Sequence, residues 1–222
     1  MKYNVNFDLE FRKHNYSGLF FALEGIDGSG KTTQTEQVAK LLEQRGKNVI
    51  TTGEPTNKGV IGELIRNVLQ SKADVPAVSL QYLFAADRAV HQEQTTIPNL
   101  KEGKIVVSDR CFWSAVPYGL ADKESVDYAN GESLLVAYGL LSMYNQFIAP
   151  NLTFYLDISV DTAIMRLSQM DKVKEIYEKK EKLEKIYNGY QFLIKKFPEE
   201  FVVIDGEQSE EKITEEIISK IE

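Results

Sequence analysis

The chain carries one cysteine in 222 residues, Cys111, so no disulfide can close within it and a reducing compartment is expected. It has no basic excess. Twenty-six Lys and Arg against 33 Asp and Glu leave a net charge of −7 at pH 7. That speaks against a nucleic-acid coat, while leaving room for a local basic pocket around a small anion. No apolar run is long enough to span a membrane, and the opening MKYNVNFDLEF lacks a signal-peptide core. A cytoplasmic protein without nucleic-acid or membrane partners is expected. No segment repeats another. Apolar material is plentiful at 43%, enough for one sizeable core, and the length suits one domain with a small mobile insert.

Short, β-rich apolar runs occur at Leu19–Leu23, Asn48–Thr52, Ile105–Ser108, Leu152–Leu156 and Phe201–Ile204. Such runs suit strands buried on both faces. Helix-period segments lie between them. One follows Lys31 and stops near Gly46. Another starts near Gly59 and places Val60, Ile61, Leu64, Ile65, Val68 and Leu69 on one face. Long helices are expected over Val78–Leu100 and Leu134–Ile148, and later ones after the N-caps Ser159 and Ser209. Strands alternating with helices give an α/β fold with a parallel sheet. Asp171–Tyr190 is dense in charge, which reads as a solvated amphipathic helix or as a lid whose lysines close over phosphates.

The motif that carries chemistry is Gly25-Ile26-Asp27-Gly28-Ser29-Gly30-Lys31-Thr32, followed by Thr33. It fits GxxxxGK[ST] and stands between a strand and a helix. In such a loop the backbone N–H groups wrap the β-phosphate, the lysine reaches β and γ oxygens, and the threonine holds Mg²⁺. The helix that follows turns its positive end to the anion. A bound nucleoside triphosphate is expected.

Two classes of protein use such a loop: regulatory NTPases that hydrolyse, and kinases that move the γ-phosphoryl. A guanine reader of the Asn-Lys-x-Asp type is missing, since Asn57-Lys58-Gly59-Val60 lacks the aspartate and comes too early. Features of a second pocket are present. "IVVSDR" ends a strand on Asp109 and Arg110. The carboxylate can hold Mg²⁺ through water, and the guanidinium can bridge two phosphates. "LFAADR" sets Phe84 and Arg88 one turn apart, able to stack on a base and read its edge. Glu54-Pro55 makes a stiff bend directly after a strand.

Taken in order, "FALEGIDGSGKTTQ", "EPTNKGVIGELIRNVL", "YLFAADRA", "SDRCFWSAVPY" and "PNLTFYLDIS" resemble the thymidylate kinases, from about Leu19 onward. The resemblance implies a three-layer P-loop fold with a five-stranded parallel sheet and a helical lid, at about residues 168–181 of a kinase domain 18–222. It implies a homodimer and transfer from MgATP to dTMP. Lys31, Arg110 and Asp109 would be catalytic, with Thr32 and Asp109 on the metal. The loop from Gly25 through Thr33, with Arg166, would bind ATP. Asp27 would meet the deoxyribose 3′-OH, Phe84 stack on thymine, and Arg88 read its O4. Arg66 and Arg110 would hold the acceptor phosphate, and Tyr118 crowd the 2′ position. Glu54, Pro55, Ser114 and Tyr177 would complete the dTMP side. A deoxynucleoside kinase is the alternative within kinases, with Glu54 as base.

Four departures stand out. Many relatives place an arginine in the loop or the lid, but here Gly28 fills the loop position and no arginine follows Arg166. Only lysines remain in the lid: Lys172, Lys174, Lys179 and Lys180. Cys111 stands where Asp-Arg-Tyr is usual, either packed as a small apolar group or reactive beside Arg110. Residues 1–17 have no counterpart. There Tyr3, Val5, Phe7, Leu9 and Phe11 alternate as in an extra strand, or the segment is a tail.

Overall fold

A computed structural model describes residues 8–121, 123, 126, 131–170 and 179–221. Five strands form one sheet: β1 (Leu19–Glu24), β2 (Val49–Gly53), β3 (Ile105–Asp109), β4 (Leu152–Asp157) and β5 (Phe201–Asp205). All pairings are parallel, in the order β2-β3-β1-β4-β5. The strands fall within a residue of the apolar runs. In β1 the alternation is direct. Phe20 and Ala22 enter the core on one face, Phe21 and Leu23 the core on the other. The second core is closed by α1 (Lys31–Gln44) and α9 (Glu210–Ile221), through Val38, Leu42, Ile213 and Ile217.

The larger core holds α2 (Gly59–Leu69), α3 (Ala77–His91), α4 (Ile97–Lys101), α5 (Ala115–Leu120), α6 (Gly131–Ser142), α7 (Val160–Ser168) and α8 (Lys180–Lys196). Several boundaries differ from expectation. The stretch expected as one helix over Val78–Leu100 is interrupted by a π turn at Gln92–Thr96. The ladder re-spaces ahead of Pro98, which has no N–H to return. The helix expected to reach Ile148 stops at Ser142. Beyond it, Gln92 takes over the backbone of Ile148, its Nε2 donating to the carbonyl and its Oε1 accepting the N–H, both at 3.0 Å. On α2, Ile65, Val68 and Leu69 are buried, but Val60 is 86% exposed and Leu64 also faces outward.

Ser159 caps α7 by accepting the Thr162 N–H at 3.1 Å, and Gly46 ends the first crossover at φ 75°, both as expected. Residues 8–17 add no strand to the sheet. Arg12 makes one isolated parallel bridge, its carbonyl accepting the Ala149 N–H at 2.8 Å. Phe11 lies against Phe112, Trp113 and Phe197 instead, with ring centroids 5.5, 4.7 and 5.6 Å away. Apolar alternation here serves a docked strap. Tyr3, Val5, Phe7, Lys172, Lys174 and Tyr177, with most of the expected lid, lie outside the described residues.

Candidate active site

The loop between β1 and α1 opens at the carboxyl edge of the sheet, where the strand order reverses around β1. A cleft of about 440 Å³ lies there. Lys31, at the first position of α1, donates from Nζ to the Ile26 carbonyl at 2.9 Å, so the loop folds around its own cation. Burial and the repulsion of Arg110 lower its pKa to about 8, against the pull of Asp27, Asp109 and Glu24. Gly28 adopts φ 86°, and a Cβ there would stand 2.7 Å from the Ala163 carbonyl of α7. The loop therefore packs on α7 at this position, and no side chain fits.

Thr32 Oγ1 donates to Asp109 Oδ2 at 2.5 Å, bringing the loop hydroxyl against the end of β3. Hard oxygens at the mouth of a phosphate loop suit Mg²⁺. Among the described residues no group of three or more His, Cys, Asp or Glu could hold a metal by itself. An ion here would take most of its ligands from phosphate and water.

Arg110 sits at φ 76°, a left-handed conformation that a side chain rarely adopts. Its N–H donates to the Leu23 carbonyl at 2.9 Å, and its carbonyl accepts Ser108 Oγ at 2.7 Å. Held so, the guanidinium reaches back over β1. Nη2 donates to Asp27 and, at 2.6 Å, to the Tyr118 hydroxyl; Nη1 donates to the Gly25 carbonyl, Ser114 and Tyr190. Underneath lies Glu24, fully buried at the end of β1. It accepts the Cys111 N–H at 2.9 Å and the hydroxyls of Ser114 and Tyr190, each at 2.7 Å. Glu24 thus ties β1, the turn after β3 and α8 beneath one arginine.

The opposite wall is α3 with the turn after β2. Arg88 donates from Nε to Glu54 Oε2 at 2.8 Å and from Nη1 to the Tyr144 hydroxyl at 2.9 Å. Its guanidinium carbon stands 5.7 Å from the centroid of the Phe84 ring. His91 Nδ1 meets Glu54 Oε1 at 3.0 Å, and its Nε2 meets Thr52 Oγ1 at 2.5 Å. Burial opposes both charges, but their mutual hydrogen bond and the charge of Arg88 outweigh it for Glu54, whose pKa falls. Contact with Glu54 raises that of His91 in the same way. Arg66, in the last turn of α2, donates to the Pro55 carbonyl at 3.3 Å, and the Glu54–Pro55 bond is cis.

The cleft brings together Asp27, Gly28, Gly30, Lys31, Thr32, Thr33, Glu54, Pro55, Arg66, Phe84, Arg88, Asp109, Arg110, Ser114 and Tyr118. It does not bring in Gly25, Ile26 or Ser29, whose side-chain positions are buried behind the loop, nor Arg166, which donates to the Gly206 carbonyl at 3.0 Å. Cys111 is 2% exposed, and burial together with Glu24 raises its pKa well above the usual thiol value. It is the packed residue of the two readings, not a thiolate facing the pocket. Glu24, Gln81, His91, Tyr144 and Tyr190 escaped the sequence reading. The one local signal was a carboxylate closing an apolar strand in "FFALEG".

Parallel sheet, glycine loop and paired walls define a P-loop phosphotransferase. The sequence pattern of thymidylate kinase matches residues 23–217. The chain is 33% identical over 216 residues to the probable thymidylate kinase of Pyrococcus horikoshii, covering 92% of this chain and 96% of that one. It is 33% identical over 207 residues to a thymidylate kinase of an Exiguobacterium species, covering 91% and 93%. It is also 33% identical over 205 residues to that of a Thermoanaerobacter species, covering 92% and 97%. The chain belongs to the thymidylate kinase family.

Proposed function

We propose that this chain transfers the γ-phosphoryl group of ATP to dTMP, giving ADP and dTDP. The observation that carries this reading is a single cleft whose two walls differ. One wall is a phosphate loop with Lys31, and the other offers a ring, Phe84, beside a forked donor, Arg88. Arg110 projects between them.

The acceptor is a phosphate monoester, largely dianionic near neutral pH, and needs no general base. The work of the protein is placement and charge cover. The loop amides and Lys31 hold the triphosphate, with Arg166 on the same side. Phe84 stacks on the base, Arg88 meets O4, and Arg66 and Arg110 hold the acceptor phosphate. Asp27 meets the sugar 3′-OH and Tyr118 crowds the 2′ position, with Pro55 and Ser114 at the margins of the same pocket. Thr32 and Asp109 would hold Mg²⁺, which supplies positive charge to the β and γ oxygens. In the lid, a lysine among Lys172, Lys174, Lys179 and Lys180 would take the place of an arginine.

A hydroxyl acceptor is less well served. Glu54, the candidate base, has its two oxygens on Arg88 and His91 and a lowered pKa. A regulatory NTPase has no use for a second wall of this kind.

The chain is proposed to act as a homodimer. α2 and α3 carry exposed Val60 and Leu64, and Val78 and Tyr82, an apolar face of the kind that partners cover. Among the described residues no helix is long and apolar enough to cross a membrane, and action in the cytoplasm, away from nucleic acid, is part of this reading.

The test is ADP release from MgATP with dTMP, dUMP, dCMP, dGMP or thymidine as acceptor. Release with dTMP foremost is expected. Equal release with no acceptor added would point to an NTPase, and preference for thymidine to a nucleoside kinase.

A further inference from the structure

Gln81 lines the cleft, is 6% exposed, and has no hydrogen bond to its carboxamide among the described residues. Its Oε1 is fully buried and unpartnered. An unpaired buried amide is costly, and a fold retains one chiefly where something else completes it. Its placement says what that is. Gln81, Phe84 and Arg88 fall at i, i+3 and i+7 on α3, one face of the helix. The amide therefore stands one turn from the ring and two from the forked donor.

Space for it is built into the opposing helix. Gly119 of α5 follows Tyr118, and a Cβ at that glycine would come within 3.2 Å of Gln81 Oε1 and 2.6 Å of Leu140 Cδ1. α5 thus yields to the amide rather than bonding it. Oε1 lies against this glycine, so pairing with a base in the cleft requires the carboxamide to turn about its last side-chain bond. Of the other polar groups of this wall, His91 is held by Glu54 and Thr52, and Arg88 bonds Glu54 through Nε and Tyr144 through Nη1.

We infer that Gln81 is a specificity-determining residue that reads the imide edge of the pyrimidine, its carboxamide pairing with N3–H and a flanking carbonyl. A carboxamide offers one acceptor and two donors side by side, which complements the donor and acceptor of that edge. The inference rests on the acceptor being a thymine nucleotide. Uracil presents the same edge, so Gln81 separates imide bases from others and does not separate dTMP from dUMP.

The full chain is assayed with MgATP and two acceptors, dTMP and its N3-methyl analogue, which lacks the N3 hydrogen. The wild-type chain is expected to prefer dTMP by about 10²-fold or more in kcat/KM, because a site built to hydrogen-bond a group rejects analogues that leave it unpaired. Gln81→Ala removes the amide and makes room for the methyl group. It should lower kcat/KM for dTMP and shrink that preference about tenfold or more. Gln81→Met, close in volume and apolar, should lower kcat/KM for dTMP while keeping or raising the thermal midpoint, since an unpaired buried amide is lost. A merely structural glutamine would lower the midpoint and leave the preference alone.

The inference is overturned if the wild-type chain accepts both nucleotides alike, or if dTMP turns over normally in Gln81→Met. It is also overturned if the preference survives Gln81→Ala. If no pyrimidine monophosphate is phosphorylated by the wild-type chain, the reading of the acceptor falls and this one with it. Good dTMP turnover with an unmoved preference sinks Gln81 alone.

Discussion

At the scale of single residues, the site is a set of charges held close to one another before any substrate adds its own. Lys31 shows the cost. With a pKa lowered to about 8 from the usual 10.5, it is charged in the free protein below pH 8 and loses its charge above. The kcat/KM for ATP, which reports the free protein, should therefore fall as pH rises through about 8. A bound triphosphate favours the charged form, so kcat should hold to a higher pH. A kcat/KM profile flat to pH 9.5 would show that Lys31 keeps its proton and that burial is outweighed. Arg110 makes the complementary case. Its charge matters most as the two phosphates approach, so Arg110→Ala should lower kcat by ~10²–10³ with a smaller change in dTMP binding. Normal turnover with only a raised KM would assign it to ground-state binding.

At the scale of elements, the loop and its neighbour α7 act as one piece. Gly28 and Gly30 both have left-handed φ, at 86° and 92°, but a Cβ on Gly28 meets the Ala163 carbonyl while one on Gly30 meets nothing within 4 Å. Gly28→Ala should thus lower the urea midpoint more than Gly30→Ala, with a total loss of about 1–3 kcal/mol for the former. Equal losses would mean that α7 gives way without cost. The elements also show what a sequence can reveal. The five strands were legible because each is buried on both faces and writes itself as an unbroken apolar run, and the loop because its glycines and lysine are consecutive. Phe84 with Arg88, and Asp109 with Arg110, were legible as short patterns on single elements. Glu24 with Tyr190 was not, since 166 residues separate the partners and nothing local in "IYNGYQF" foretells a hydrogen bond to β1. The His91–Glu54–Arg88 chain was hidden for the same reason, and the burial of Gln81 because it depends on packing against α5. Helix ends failed where side chains replaced backbone partners, as Gln92 does for Ile148, and where Pro98 forced a π turn inside a continuous apolar pattern.

For the molecule as a whole, the same helix α3 faces two ways. Its inner side carries Gln81, Phe84 and Arg88, and its outer side carries Val78 and Tyr82, each 64% exposed. If the outer side is the contact between two copies, Tyr82→Glu on a Val60→Glu background should give monomers by sedimentation at micromolar concentration, where the parent chain gives dimers. A parent chain that sediments as a monomer would end the dimer reading, and the exposed side chains would need another occupant. Because α3 also lines the cleft with Gln81, Phe84 and Arg88, the separated variant should also lose more affinity for dTMP than for ATP.

The strap of residues 8–17 ends in an aromatic nest with an optical consequence. Trp113 is the only tryptophan in the chain, fully buried, with Phe11, Phe112, Phe197 and Phe201 around it. Its ring nitrogen has no partner among the described residues, so it sits in a dry, apolar medium and should emit at short wavelength. It also stands three positions beyond Arg110. Selective excitation of that one ring then follows, without any attached dye, whether the strap is seated behind Arg110. Cutting the chain after residue 16 should shift the emission to the red even in folded protein.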